Sequence, residues 1–89
     1  MYFTFKPTQD IITINLLVLK TQINQIILSH PFLKINFVNI NQVDSSGIYF
    51  LISLYKKLKN NKGDLKFINV KKELRELFNL TEISSFYTE

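Results

Sequence analysis

Two short apolar runs, FLKINFVNI at 32–40 and LKFINV at 65–70, flank a longer stretch whose apolar residues recur at helical spacing. Strand, helix and strand with short links make a crossover unit, which lays the two strands parallel and makes the connection right-handed. In the first run Leu33, Ile35 and Phe37 fall on one alternating face and Val38 and Ile40 on the other. It therefore reads as a central strand covered on both sides. Between the runs, Ile48, Leu51, Ile52, Tyr55 and Leu58 form a stripe widened by Phe50 and Leu54. This predicts a helix that stops near Asn60, Asn61 and Gly63.

The flanking segments extend the pattern. Tyr2–Phe5 and Ile11–Leu16 are rich in aromatic and β-branched residues, and the intervening KPTQD carries proline and aspartate. Two strands joined as a hairpin are expected there. From Leu16 the period changes: Leu16, Leu19, Ile23, Ile26 and Ile27 mark an amphipathic helix, which His30-Pro31 closes because the residue before proline is pushed out of the helical region. A last helix in KKELRELFNL, 71–80, turns Leu74, Leu77 and Phe78 inward, with Ile83 and Phe86 expected to complete the core. The predicted fold is α/β: a small mixed β-sheet, elements in the order β-β-α-β-α-β-α, with helices packed on it.

Eighty-nine residues suffice for one core and not for two, so a single domain over 1–89 is expected. Apolar residues make up 46% and charged residues 20%, a globular balance. The absence of cysteine excludes disulfides, thiolate catalysis and sulfur-ligated zinc. MYFTFKPTQD lacks the basic start of a secretory signal, and the apolar run IYFLISLY falls well short of the ~20 residues that cross a bilayer. A cytoplasmic location is the expectation.

The net charge of +4 is unevenly spread, with Lys56, Lys57, Lys59, Lys62, Lys66, Lys71 and Lys72 together, followed by Glu73, Glu76, Glu82 and Glu89. Such a zone suits nucleic acid, anionic lipid or an acidic protein. The plainer reading is that lysines gather in the last turn of a helix, where the macrodipole is negative.

Few residues offer chemistry. His30 stands before a proline with no second histidine or carboxylate near it in sequence, and Asp10, Asp44 and Asp64 fall in three separate turns. The glycines, Gly47 and Gly63, are isolated, so no phosphate-cradling loop exists. Phe37, Phe50, Phe67 and Phe78 occupy core positions of strands and helices rather than a stacking platform. No nucleophile–base pair stands at recognisable spacing. A non-enzymatic protein with no cofactor, no metal and no small-molecule substrate is expected.

The tetrad Asp44-Ser45-Ser46-Gly47 is different. Any of its first three residues can cap the following helix, an interaction worth ~0.5–2 kcal/mol. A cap needs one such residue, whereas here two hydroxyls and a carboxylate crowd a glycine that permits close backbone approach. A helix N-terminus at the carboxyl end of a central strand is where open α/β sheets place ligands. Phosphate on one of these serines adds about −1.5 to −2 charges. The free N–H groups favour it and Asp44 opposes it, but a partner docked over the tetrad has to bury it unpaired, so one phosphate can release a partner.

From VDSSGIYF onward through the helix exit at Lys59–Gly63, the strand Leu65–Val70 and the helix Leu74–Leu80, the chain resembles the STAS domain. That family includes the C-terminal domains of sulfate transporters and the bacterial anti-sigma factor antagonists. The resemblance implies that Ser45 is the position an anti-sigma factor kinase phosphorylates, with Ser46 and Asp44 shaping the site. It also implies a partner-binding surface of Asp44, Ser45, Ser46, Gly47 and Tyr49. Unphosphorylated, such a protein binds the kinase and frees the sigma factor.

The chain departs from the antagonists in having LLVLKT where they carry a Gly-x-Leu-Asp-like segment, in a shortened first helix, and in stopping soon after Phe86. Those features are similar to the compact STAS subunit of bacterial Mla-type phospholipid-transport ABC systems, which binds the ATPase subunit at the cytosolic side of the inner membrane. Such subunits more often carry Thr-Ala or Ser-Ala where Ser45-Ser46 stand. The tetrad favours the antagonist and the truncation favours the transporter subunit. A nucleic-acid binder using Lys56–Lys72 ranks below both.

Overall fold

A computed structural model describes residues 1–81. Strands β1 (Phe3–Phe5), β2 (Phe32–Asn36) and β3 (Asp64–Ile68) alternate with helices α1 (Leu16–Ile27), α2 (Ser45–Asn60) and α3 (Lys72–Phe78). β2 lies in the middle of the sheet and pairs in parallel with both neighbours, Phe5 opposite Ile35 and Ile35 opposite Phe67. The expected crossover from β2 through α2 to β3 is present, and the fold is the predicted α/β arrangement of helices on a small sheet.

Alternation along the strands sends Leu33, Ile35, Leu65 and Phe67 to one face, where all four are buried. Leu16, Leu19 and Ile23 of α1 and Leu51, Leu54 and Leu58 of α2 complete the same core, each set at the three- and four-residue steps of one helical face. α3 adds Leu74 and Phe78. The rings of Phe37, Phe67 and Phe78 meet at centroid separations of 4.8 to 5.9 Å, fixing the last helix against the outer strand.

Two expectations need correction. The hairpin does not form: Ile11 makes an isolated parallel bridge with Val43, Thr13–Asn15 is a 3-10 turn, and Leu16 already begins α1. The sheet among the described residues is therefore parallel throughout rather than mixed, and the order is β-α-β-α-β-α. Tertiary bonds override the β-propensity of IITI, because Asp44 accepts from both the N–H and the hydroxyl of Thr13 while Asn15 ties back to the Asp10 carbonyl.

Among the described residues the helices cover β2 on one face only; on the other, Lys34 and Lys66 lie side by side and half-buried. The strand ends earlier than its apolar run. Asn36 Oδ1 accepts from the N–H of Val38 and the Phe37 carbonyl from Ile40, so a turn delivers Phe37 and Ile40 inward and leaves Val38 exposed. Ile83 and Phe86, expected to complete the core, lie outside the described residues.

α2 stops where expected, by a different device. Lys62, not Gly63, takes the left-handed conformation (φ 62°), and Gly63 N–H and Lys62 N–H donate to the carbonyls of Leu58 and Lys59. Gly63 is needed for space: a Cβ there would stand 2.1 Å from the Pro31 carbonyl oxygen.

Candidate functional site

The tetrad opens α2 as the sequence implied, with Asp44 alone as the cap. Its backbone is extended and its Oδ1 accepts from Gly47 N–H at 2.8 Å. Oδ2 accepts from Thr13 N–H and Thr13 Oγ1, both at 2.8 Å. The carboxylate thus joins the start of α2 to the 3-10 turn before α1. Donation from the Thr13 N–H, then the Gly47 N–H, holds the Asp44 carboxyl below its ordinary pKa, so it is ionised near neutrality.

Gly47 is buried beneath this junction. A Cβ would come 2.1 Å from the Ile11 carbonyl oxygen, the acceptor for Asp44 N–H, so glycine is required for α2 to rest on the Ile11 segment. Expected among the partner-contacting residues, it is buried, and it shapes the site by letting α2 pack against Ile11.

With Asp44 doing the capping, both serines are left over. Ser45 and Ser46 occupy the first two positions of the helix, both exposed, and neither hydroxyl bonds another described residue. Their backbone N–H groups are among the donors that a helix start leaves without an intrahelical acceptor.

The two serines differ in what surrounds them. Ser45 stands on the lip of an open groove of ≈ 470 Å³ lined by Ile48, Tyr49, Ile52, Leu80 and Thr81, whereas Ser46 is not part of it. Tyr49 is 72% exposed and Leu80 84%, an apolar surface directly beside a polar helix end. Ile48 and Ile52 were read from sequence as core stripe. Their half-buried position in the groove was legible only as spacing: 45, 48, 49 and 52 fall on one helical face. Leu80 and Thr81 gave no signal, because only tertiary packing brings the end of α3 beside α2.

The remaining candidates are accounted for locally. His30 is exposed and stacks on Phe3 at 4.6 Å. Asp10 accepts from Asn41 N–H and is tied to the loop after β2. Asp64 receives the Tyr2 hydroxyl and the ammonium groups of Lys59 and Lys66. Burial pushes its carboxyl up, but those partners and Leu65 N–H outweigh it and bring the pKa below the ordinary value. No helix among the described residues is long and apolar enough to cross a membrane.

A family model described as the STAS domain matches residues 2–88. None of the curated proteins compared with the chain matches it.

Proposed function

The chain belongs to the STAS domain family, and from that premise we propose that it is a non-enzymatic partner switch, resembling an anti-sigma factor antagonist, controlled by phosphorylation of Ser45. STAS domains are in general binding modules that mediate protein–protein interaction, which is the coarse reading that the family carries. The finer one rests chiefly on a single observation: Ser45 is exposed on the lip of an apolar groove, and its hydroxyl bonds no other described residue.

The physics follows from that position. Unmodified, Ser45 is small and neutral, and a partner can lay apolar side chains along Ile48, Tyr49 and Ile52. A phosphate on Ser45 is tolerated by the free protein, because it sits at a helix N-terminus with open N–H donors. Docked, the same phosphate has to be desolvated next to an ionised Asp44 and an apolar wall, a cost of several kcal/mol. Each ~1.4 kcal/mol is tenfold in affinity. Asp44, Ser45, Ser46 and Tyr49 are the surface residues of the proposed contact, and an anti-sigma factor kinase is the proposed partner.

A second reading has its own support. The apolar character of the groove suits a permanent interface, since obligate contacts are the more hydrophobic ones. It would make the chain a constitutive subunit bound to the ATPase of a phospholipid-transport ABC complex. One pull-down from the native cell separates the two. For a switch, Ser45→Ala retains the partner and Ser45→Asp loses it by tenfold or more. Equal retention by both variants, with an ATPase as the captured protein, overturns the phosphoswitch and leaves the subunit.

A further inference from the structure

We propose that the end of the molecule opposite Ser45 is a docking surface for an anionic lipid bilayer. In a parallel sheet all strands start at one end, and the connecting helices finish there. That end collects the last turns of α1 and α2 and the starts of β2 and β3. Ser45 lies at the other end of a 16-residue helix, roughly 24 Å away.

Charge at this end is one-sided. Lys56, Lys57 and Lys62 are exposed and have no carboxylate partner among the described residues. Among the described residues the one carboxylate here is Asp64, already engaged by Tyr2, Lys59 and Lys66. Asp10, Asp44 and Glu73 belong to the opposite end, as caps, loops and the first turn of α3, and Glu76 lies further along α3, whose following residues Leu80 and Thr81 border the Ser45 groove.

Apolar surface lies among the lysines. Leu28 is 81% exposed, and with Ile27, Pro31, Leu58, Lys57 and Asn61 it lines a groove of ≈ 240 Å³ between the ends of α1 and α2. An apolar side chain beside Lys57, at an end that also carries Lys56 and Lys62, matches a phosphate headgroup layer over acyl chains: leucine enters the interface while lysine stems lie along it and their ammonium groups meet phosphates. Nucleic acid fits less well. Single-stranded binding needs free aromatic faces, and here His30 stacks on Phe3, Tyr2 bonds Asp64 and Tyr55 lies under Lys59. The sole arginine, Arg75, is on α3.

Docked this way, the protein holds Ser45 away from the lipid, so a bilayer and a protein partner can be engaged together. The test is sedimentation of the full chain with vesicles of equal parts phosphatidylcholine and phosphatidylglycerol, and with phosphatidylcholine alone. Binding is expected to the anionic vesicles only, and to decline as salt shortens the screening length. Lys57→Gln with Lys62→Gln should weaken it by about twenty-five-fold, roughly fivefold per lysine. Leu28→Ser should weaken it further, and Ser45→Asp should leave it unchanged. Failure to bind anionic vesicles, or binding that the glutamine variants retain in full, overturns the proposal, as does lysine-dependent retention of a labelled oligonucleotide without vesicle binding. Since Ser45→Asp alters only partner capture, failure here and failure of the partner switch are separately visible.

Discussion

The two ends of α2 use the same packing device and treat their polar groups in opposite ways. At each end a buried glycine lets the backbone of another segment approach where a Cβ would stand 2.1 Å from a carbonyl oxygen, Ile11 at the start and Pro31 at the exit. At the exit the helix carbonyls are closed off by Lys62 and Gly63 N–H groups. At the start the capping carboxylate is spent on Gly47 and Thr13, and the serines remain open beside an apolar groove. Close packing fixes both ends of the helix. What differs is the surface each end offers: free serine hydroxyls beside a groove at the start, closed carbonyls ringed by exposed lysine side chains at the exit.

The largest effects should come from the shared device. Gly47→Ala and Gly63→Ala each force a backbone shift and should cost about 3 kcal/mol, measured by chemical denaturation. Comparable losses confirm that the ends are equivalent in packing. If Gly47→Ala is tolerated while Gly63→Ala is not, the helix start is plastic and the comparison breaks.

A smaller effect sharpens the electrostatic side. Asp44 and Asp64, at opposite ends of the molecule, both have folded pKa values below the unfolded value of ~3.9. A depressed carboxyl stabilises the fold fully above that unfolded value and loses the contribution as pH falls through the folded one. Asp44→Asn and Asp64→Asn should therefore each be less stable than the parent at neutral pH, with the gap closing under acid. A gap independent of pH for either variant would show that its charge is not what stabilises that end.

The smallest stability effect belongs to Ser45. Its hydroxyl bonds nothing described, so Ser45→Ala should change stability by no more than about 0.5 kcal/mol in thermal melts. Ser45→Asp, a negative group at a helix start, should stabilise by about 0.3–1 kcal/mol. A partner-binding loss in a variant that is no less stable then reports on the surface and not on folding.

Much of this was written in local pattern. The stripe Leu51, Leu54, Leu58 and the repeat Leu16, Leu19, Ile23 define their helices because a 3.6-residue period needs no knowledge of the partner face. The tetrad was legible for a similar reason: polar residues before an apolar stripe mark a helix start wherever it packs. The failures share a cause. Ile11–Leu16 has the composition of a strand, but Asp44, thirty-one residues from Thr13, bends it into a turn. The run 32–40 has apolar residues on both faces, but a side-chain bond from Asn36 ends the alternation early.

The sequence alone determined the helices, the central position of the FLKIN strand, and which residues open α2, since these depend on the order and period of neighbouring side chains. Only the tertiary structure decided that Asp44 is the cap, that Ser45 and not Ser46 borders a groove, and that the described helices all pack on one face of the sheet. Each of those depends on a group distant in sequence, and hydrogen bonds and contacts across the fold are set by where the backbone brings such groups together, which no local pattern encodes.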